Sequence, residues 1–402
     1  MKTIVEINGT NYSSTGNIAL NIAKQARLEG FDVFTSCKLN RRTVTLDYPN
    51  QIYIGTRLER VISEQLGSLT GYEGSFNILG TYKFLKRLDR IKPDLVHLHV
   101  MHQTYINLSM LFNYLKKHNI PVIYTFHDCW AFTGKCPHFE KVNCYKWKNT
   151  CENCPVLKQY PDSYFFDKTK YLHNKKKRLI GKLKNVVIVT PSIWLSNYVK
   201  QSFYKEKSIR VINNGINLDV FKPYNSDLKE KLNIVGKKII LGVGYNWNPR
   251  KGLDDFIELS KRLSDDYRIV VVGTDENVDR RIPKNIISIH RTHNQKELAQ
   301  IYSAADLFVN PTKEDTFPTV NIEALACGCP VLTYRTGGSP EIIDNTSGSV
   351  VEKGDIDSLE KEIIRILKEN PYSREDCVKR AQQFDMNNKF KEYVELFKEI
   401  LE

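Results

Sequence analysis

The sequence predicts an α/β protein built from two parallel-sheet domains, and three observations carry that prediction. Short apolar runs such as "TIVEIN", "DLVHLHV" and "NVVIVTPS" alternate with stretches of helical periodicity. The same rhythm starts again in the second half, with "KIILGVGY", "RIVVVGT", "DLFVNPT" and "PVLTYRT". The length, 402 residues, is more than a single hydrophobic core usually serves. Strand–helix alternation implies parallel sheets covered on both faces. Ligands of such sheets bind beyond the carboxyl ends of the strands, so the expected site is a cleft between the two domains.

Taken in order, the first half predicts strands at "TIVEIN", "FDVFTS", "DLVHLHV", "PVIYTF" and "NVVIVTPS", with helices over 17–29, 76–91, 106–118 and 193–203. The second half opens with "SIRVIN" and continues through "KIILGVGY", "RIVVVGT", "IISIH", "DLFVNPT" and "PVLTYRT". Helices are expected there near 252–265, 295–303, 319–327 and 356–369. The Pro/Asn/Gly-rich "INNGINLDVFKPYNS" suits a domain junction. The reading is therefore an N-terminal Rossmann-like domain over 1–205, with a Cys-rich insertion at 129–160. A second such domain covers 206–375, and a helical segment, 376–402, packs back towards the first.

Hydrophobic residues make up 41% and charged residues 26%, the balance of a soluble globular enzyme. "MKTIVEING" enters a strand without the apolar run of a signal peptide, and no segment reaches the ~18–20 apolar residues of a membrane span. A cytoplasmic protein is expected. The formal charge of +13 is uneven: residues 1–205 carry 30 Lys+Arg against 14 Asp+Glu, residues 206–402 carry 29 against 32. A basic first half implies an acidic partner such as a phospholipid surface or a lipid diphosphate. The densest stretch is "KTKYLHNKKKRLIGKLKN", 168–185. No zinc-finger, RNP or homeodomain pattern accompanies it, so nucleic acid is not the expected partner. An anionic membrane surface is, with a solvated helix face as the plainer alternative.

"KEDTFPTVNIEALACGCP", 313–330, places Asp315 and Glu323 eight positions apart around the start of a short apolar helix. Pro318 suits its first position, and Gly328 with Pro330 ends it. The helix amides and dipole favour an anion, and Glu323, one turn in, can accept from hydroxyls attached to that anion. An anion flanked by hydroxyls describes a nucleotide sugar. A solvated acid at each end of an amphipathic helix is the bland counterpart.

The chain resembles the retaining family-4 glycosyltransferases of the GT-B fold, two facing Rossmann-like domains with the active site in the interdomain cleft. The matching stretches are "PSIWL", "NNGIN", "GYNWNPRKG", "VVVG", "EDTFPTVNIEALACGCPV" and "TGGSPEII". In the first half, "TGNIALNIAKQARLEGFDV", "KPDLVHLHV" and "HDCWAFTGKCPHF" are similar to a subgroup that builds bacterial capsular, exopolysaccharide or O-antigen repeat units. The resemblance implies a metal-independent transferase that uses no catalytic cofactor. It would take a UDP- or GDP-sugar and glycosylate a polyprenyl-diphosphate-linked saccharide, peripherally on the inner face of the cell membrane. Glu323 then matches the ribose-binding second acid of the Glu-x7-Glu motif, and Asp315 stands where the first, sugar-contacting Glu lies. Backbone amides of Phe317, Pro318–Thr319 and Val320 would border the diphosphate or sugar. Lys251 matches the Lys that stabilises the leaving diphosphate. Tyr245 occupies a position that commonly holds an Arg, a charge Arg250 can supply. His127 matches the His beside the transferred sugar, and Gly16, in the loop after the first strand, lets backbone approach the phosphate. His97 and His99 face the same side of their strand, either into the cleft or as satisfied core histidines.

Three other functions compete for the same sequence. A dinucleotide-dependent dehydrogenase fails because "NGTNYSSTGN" is not G-x-G-x-x-G. A GT-B sugar-nucleotide epimerase would be separated by its products, and a nucleic-acid binder by salt-dependent binding. Last, five of the nine cysteines fall in 129–154, and Cys136, Cys144, Cys151 and Cys154 form C-x7-C-x6-C-x2-C in a polar stretch that suits a core poorly. Structural zinc, free thiols and disulfides all stand as readings of that pattern.

Overall fold

The computed structural model describes residues 1–45, 50–245 and 247–402. The chain divides into two compact units, Met1–Asn213 with Lys389–Glu402, and Asn214–Asn388.

In the first unit, strands β1 (Thr3–Ile7), β2 (Asp32–Lys38), β3 (Gln51–Ile54), β4 (Leu95–Leu98), β5 (Val122–Thr125), β6 (Val186–Thr190) and β7 (Ser208–Val211) form one parallel sheet in the order 3-2-1-4-5-6-7. The helices are α1 (Ser13–Leu28), α2 (Arg57–Thr70), α3 (Ile78–Ile91), α4 (Leu108–Lys117), α5 (Thr169–Gly181) and α6 (Ile193–Val199). "SIRV", read from the sequence as the opening strand of the second half, is β7 and pairs with β6. Three elements of this unit are absent from the predicted set: β3, α2, which carries its apolar stripe on the outside, and α5, which lies in the basic stretch.

The second unit holds β8 (Lys238–Val243), β9 (Tyr267–Val272), β10 (Ile286–Ile289), β11 (Leu307–Asn310), β12 (Val331–Tyr334) and β13 (Gly348–Val351), all parallel, in the order 10-9-8-11-12-13. Its helices are α7 (Leu228–Lys231), α8 (Leu253–Arg262), α9 (Glu276–Asp279), α10 (Gln295–Ala304), α11 (Thr319–Ala326), α12 (Ser339–Ile342), α13 (Ile356–Glu369) and α14 (Arg374–Ala381). The last helix, α15 (Met386–Leu401), lies mostly in the first unit, where Tyr393 and Phe397 pack on His97. The central strands are apolar on both faces, as Ile239–Leu241 and Val270–Val271 show, because helices cover both sides of each sheet.

The Cys-rich segment folds around aromatic rings rather than lying as a polar loop. Trp147 is 1% exposed and meets Phe132 and Phe139, and Cys136 and Cys151 are buried in the same core. The basic stretch over 168–185 is not a uniform solvated face either. Lys175 and Lys176 of α5 point inward, Lys175 Nζ donating to Ser75 Oγ at 2.7 Å and Lys176 Nζ to the Trp130 carbonyl at 2.6 Å. Burial lowers both ammonium pKa values to about 8. Among the described residues no helix is long and apolar enough to cross a membrane.

Candidate functional site

Each unit carries one constellation of the sequence-predicted residues, and each is described by itself. In the second unit, β11 ends at Asn310 and the chain runs through 311–318 into α11. Asn310 Nδ2 donates to Asn321 Oδ1 at 2.7 Å, tying the strand end to the first turn of the helix. Pro318 is the residue before the helix (φ −73°, ψ 107°) rather than its first member, so the first helical amide belongs to Thr319. Thr319 and Val320 supply amides that have no partner inside the helix. Phe317 is buried against Phe384 and anchors the turn.

Two loops are zipped beside that turn. Lys313 N donates to the Arg250 carbonyl at 2.8 Å, and Lys313 Nζ pairs with Asp255 at 2.9 Å. Lys251 Nζ then meets Asp315 Oδ2 at 2.9 Å, with both side chains about one-fifth exposed. The two residues that sequence reasoning assigned to opposite ends of the leaving bond therefore touch each other. Gly337 secures the loop from the far side: at φ +54°, a Cβ there would fall 1.6 Å from the Asp315 carbonyl oxygen. Arg250 is held through its backbone, and its guanidinium forms no ion pair among the described residues. Tyr245 is three-quarters exposed, and Asn246 of "GYNWNPRKG" lies outside the described residues.

Glu323 sits in the fifth position of α11 and accepts from the Tyr302 hydroxyl at 3.2 Å. Burial raises its carboxyl to about 7, against the smaller opposing effects of Tyr302 and Thr319. A carboxyl with that pKa ionises near neutrality, so a ligand hydroxyl can complete its solvation. Tyr302 was not anticipated; an aromatic on α10 at an apolar position gives no sign that its hydroxyl reaches a neighbouring helix.

In the first unit, Gly16 is in the first turn of α1, not in a loop. A Cβ at Gly16 would lie 2.9 Å from the Asn11 carbonyl carbon and 3.1 Å from Thr10 O, so the missing side chain admits the backbone that follows β1. His127 follows β5, and its Nε2 lies 3.0 Å from His99 Nδ1. Burial, then the neighbouring His99, depresses His127 to about 3. It lines an open pocket with His102, Asp128 and Trp130. His102 Nε2 is 3.2 Å from Asp128 Oδ2, and its Nδ1 meets the Tyr160 hydroxyl at 2.8 Å.

Cys136, Cys144, Cys151 and Cys154 line one open pocket, and none of the nine cysteines is in a disulfide. Thiolates about 2.3 Å from one ion lie at most roughly 4.6 Å apart. Among the described residues, the one group of three or more His, Cys, Asp or Glu whose ligand atoms lie within 4.8 Å of one another is Glu6, His97 and His99. The four sulfurs are therefore not gathered as a zinc cage. Burial pushes Cys136 up to about 12 and Cys151 up to about 11, keeping both as protonated thiols.

Two α/β units with parallel sheets of these orders have the GT-B fold. The chain belongs to Glycosyltransferase Family 4, whose profile matches residues 16–220, and the profile "Glycosyl transferases group 1" matches 225–384. It is similar to the putative colanic acid biosynthesis glycosyl transferase WcaC of Escherichia coli K12, 24% identical over 353 residues and 84% of each chain. In fold it is similar to sucrose-phosphate synthase of Thermosynechococcus elongatus, with TM-score 0.73, 17% identity, and 100% and 99% of the two chains covered. It is likewise similar to Anabaena Alr3699/HepE in complex with UDP-glucose, with TM-score 0.65, 13% identity, and 99% and 100% covered.

Proposed function

We propose that this glycosyltransferase moves a sugar, with retention at its anomeric carbon, from a UDP- or GDP-sugar to a lipid-linked saccharide of bacterial surface-polysaccharide assembly. The observation that carries the reading is the second unit's constellation: Lys251, the first amides of α11 and Glu323 gathered after β11. Lys251 and those amides face the negative charge that grows on the β-phosphate as the sugar C1–O bond breaks. Asp315 meanwhile holds the ammonium in place. The acceptor oxygen bonds to C1 from the leaving-group side, and its proton passes to the departing phosphate oxygen. Glu323 accepts from the ribose hydroxyls and Arg250 adds positive charge. His127 meets the sugar, and no metal takes part. The likeness to a putative colanic acid biosynthesis glycosyl transferase, and to a solved protein in complex with UDP-glucose, supports the substrate class.

Incubation with a panel of nucleotide sugars and polyprenyl-diphosphate-linked acceptors, read by mass spectrometry, tests the function. An α-linked product from an α-linked donor is expected, and full activity in chelator. Donor hydrolysis or epimerisation without transfer would refute it.

A peripheral location on the inner membrane face is part of the same reading, and helix α2 supports it. Leu58, Val61, Ile62, Leu66 and Leu69 are 38–69% exposed on one stripe, while Ser63 and Gly67 bury on the other. Phe165 and Phe166 are exposed beside the helix's C-terminal turn, where Tyr164 N donates to Ser68 O. An outward apolar stripe on a basic unit suits an anionic bilayer. Leu58→Ser with Ile62→Ser should release the protein from anionic vesicles; unchanged co-sedimentation would exclude this face.

A further inference from the structure

Glu6 stands in β1 among Ile4, Val5 and Ile7 and is 1% exposed, where an ionised carboxylate must be compensated. The compensation comes from β4. His97 Nδ1 lies 3.1 Å from Glu6 Oε1 and 3.0 Å from Oε2, and His99 Nε2 lies 2.8 Å from Oε2. His97 Nε2 in turn meets Thr125 Oγ1 at 2.8 Å, and His99 Nδ1 meets His127 Nε2 at 3.0 Å. A metal ion is the other way to hold two histidines and a carboxylate together. Ligands held about 2.1 Å from one tetrahedral ion stand roughly 3.4 Å apart, whereas these contacts are the length of N–H···O hydrogen bonds.

The protons can be assigned from that chain. Burial alone would raise the Glu6 carboxyl, but His97 and then His99 outweigh it and hold it at about 2, so it is an ionised acceptor. Burial, with His97, lowers His99 to about 4, so His99 is neutral at pH 7. A carboxylate only accepts, so His99 carries its proton on Nε2 and bears a lone pair on Nδ1. His127, also neutral, must then donate from Nε2 to that lone pair. Its Nδ1 is left as the acceptor, and any group meeting Nδ1 must be a donor.

We propose that Glu6 is a positioning residue for glycosyl transfer: acting through His99, it holds His127 in the Nε2–H tautomer and so presents Nδ1 as acceptor to a hydroxyl of the transferred sugar. The inference rests on the reading of His127 as the sugar-side histidine. It explains why an acid occupies the middle of a buried strand, and why the three strands that supply these residues, β1, β4 and β5, are adjacent in the sheet.

The test combines ring-nitrogen NMR of isotope-labelled histidines in the full-length protein with steady-state kinetics. In the unmodified chain His127 should carry its proton on Nε2. Glu6→Gln places an amide donor in the network, which should shift part of the His127 population to Nδ1–H. It should lower kcat about tenfold to a hundredfold, the usual cost of losing an outer orienting partner, with donor KM within about twofold. In a His127→Ala background Glu6→Gln should add no further loss of kcat. A Nδ1–H His127 in the unmodified chain overturns the proposal even if Glu6→Gln fails to fold. So does an equal cost of Glu6→Gln with and without His127. Full activity of His127→Ala would instead remove His127 from the sugar, and the role of Glu6 falls with it.

Discussion

The two constellations handle charge in opposite ways. In the first unit, His97 and His99 satisfy Glu6 within the sheet, Thr125 and His127 meet their outer ring nitrogens, and Glu6, His97 and His99 are nearly sealed from solvent. In the second, Lys251 and Asp315 remain partly exposed on loops, and Glu323 has the Tyr302 hydroxyl against a burial that keeps its carboxyl high. A self-satisfied network fixes geometry and proton positions. A partly exposed one leaves free energy for a ligand to gain. One fold, built twice, thus holds a closed hydrogen-bonded network in one copy and, in the function we propose, a receptive anion site in the other.

The largest effect that can break this comparison lies in the receptive site. Lys251→Ala and Glu323→Gln should each lower kcat/KM by about 10²–10³, or ~2.7–4 kcal/mol, the range for a preorganised charged contact in a transition state. Circular dichroism and Tm should show an intact fold. Near-normal turnover in both variants would mean that the donor is held elsewhere.

The next effect is on stability, and the two sites should bend it in opposite directions with pH. Glu323 is raised to about 7, so between the unfolded value near 4.5 and 7 the folded state binds the extra proton, and stability falls as pH rises. At 1.36 kcal/mol per unit, this is on the order of 3 kcal/mol. His99 and His127 are lowered to about 4 and about 3, so below 6.5 the unfolded chain binds more protons. Their contribution is lost as pH falls towards those values. Glu6, held near 2, keeps its stabilising charge down to about pH 4.5 and loses it below. Glu323→Gln should therefore raise Tm at pH 8 by several degrees and change it little at pH 4.5. A uniform shift across that window would sever the link to Glu323 ionisation.

These opposite characters also explain what could be read from the chain. The receptive site is nearly contiguous: "EDTFPTVNIEALACGCPV" holds Asp315, the helix start and Glu323, and Lys251 ends a second short motif. Local patterns of that kind survive in a sequence because loop and helix geometry are set locally. The orienting network is not contiguous. Glu6 and His97 are 91 positions apart and meet only through the pairing of β1 with β4. The one local sign was an acid inside "TIVEIN", which alternation would place on either face. Helix α2 is hard to read from the sequence for a related reason. Its apolar stripe faces outward, and its helical start is written only in the Thr56/Glu59 capping box, where Thr56 Oγ accepts from Glu59 N and the Glu59 carboxylate accepts from Thr56 N. The polar composition of the Cys-rich segment concealed an aromatic core because Phe132, Phe139 and Trp147 are spread along it.

The smallest expected effect sharpens the comparison at two glycines. Gly337 of the receptive site lies at φ +54° with no room for a Cβ, so any side chain there displaces Asp315. Gly16 has ordinary helical backbone, but a Cβ there would fall 2.9 Å from the Asn11 backbone carbon, closer than side chains come, so the backbone that leads from β1 into α1 has to shift. Gly16→Ala should therefore push the 10–11 backbone aside, costing about 1–3 kcal/mol as in other overpacked sites. A helical alanine recovers up to roughly 1 kcal/mol of that, so a drop of a few degrees in Tm is expected. If the displaced 10–11 backbone also borders the donor phosphates, as the family resemblance implies for Gly16, donor KM should rise while kcat changes less. A lowered Tm with unchanged KM would assign Gly16 to packing alone, and would leave the anion-binding role of this chain to the second unit.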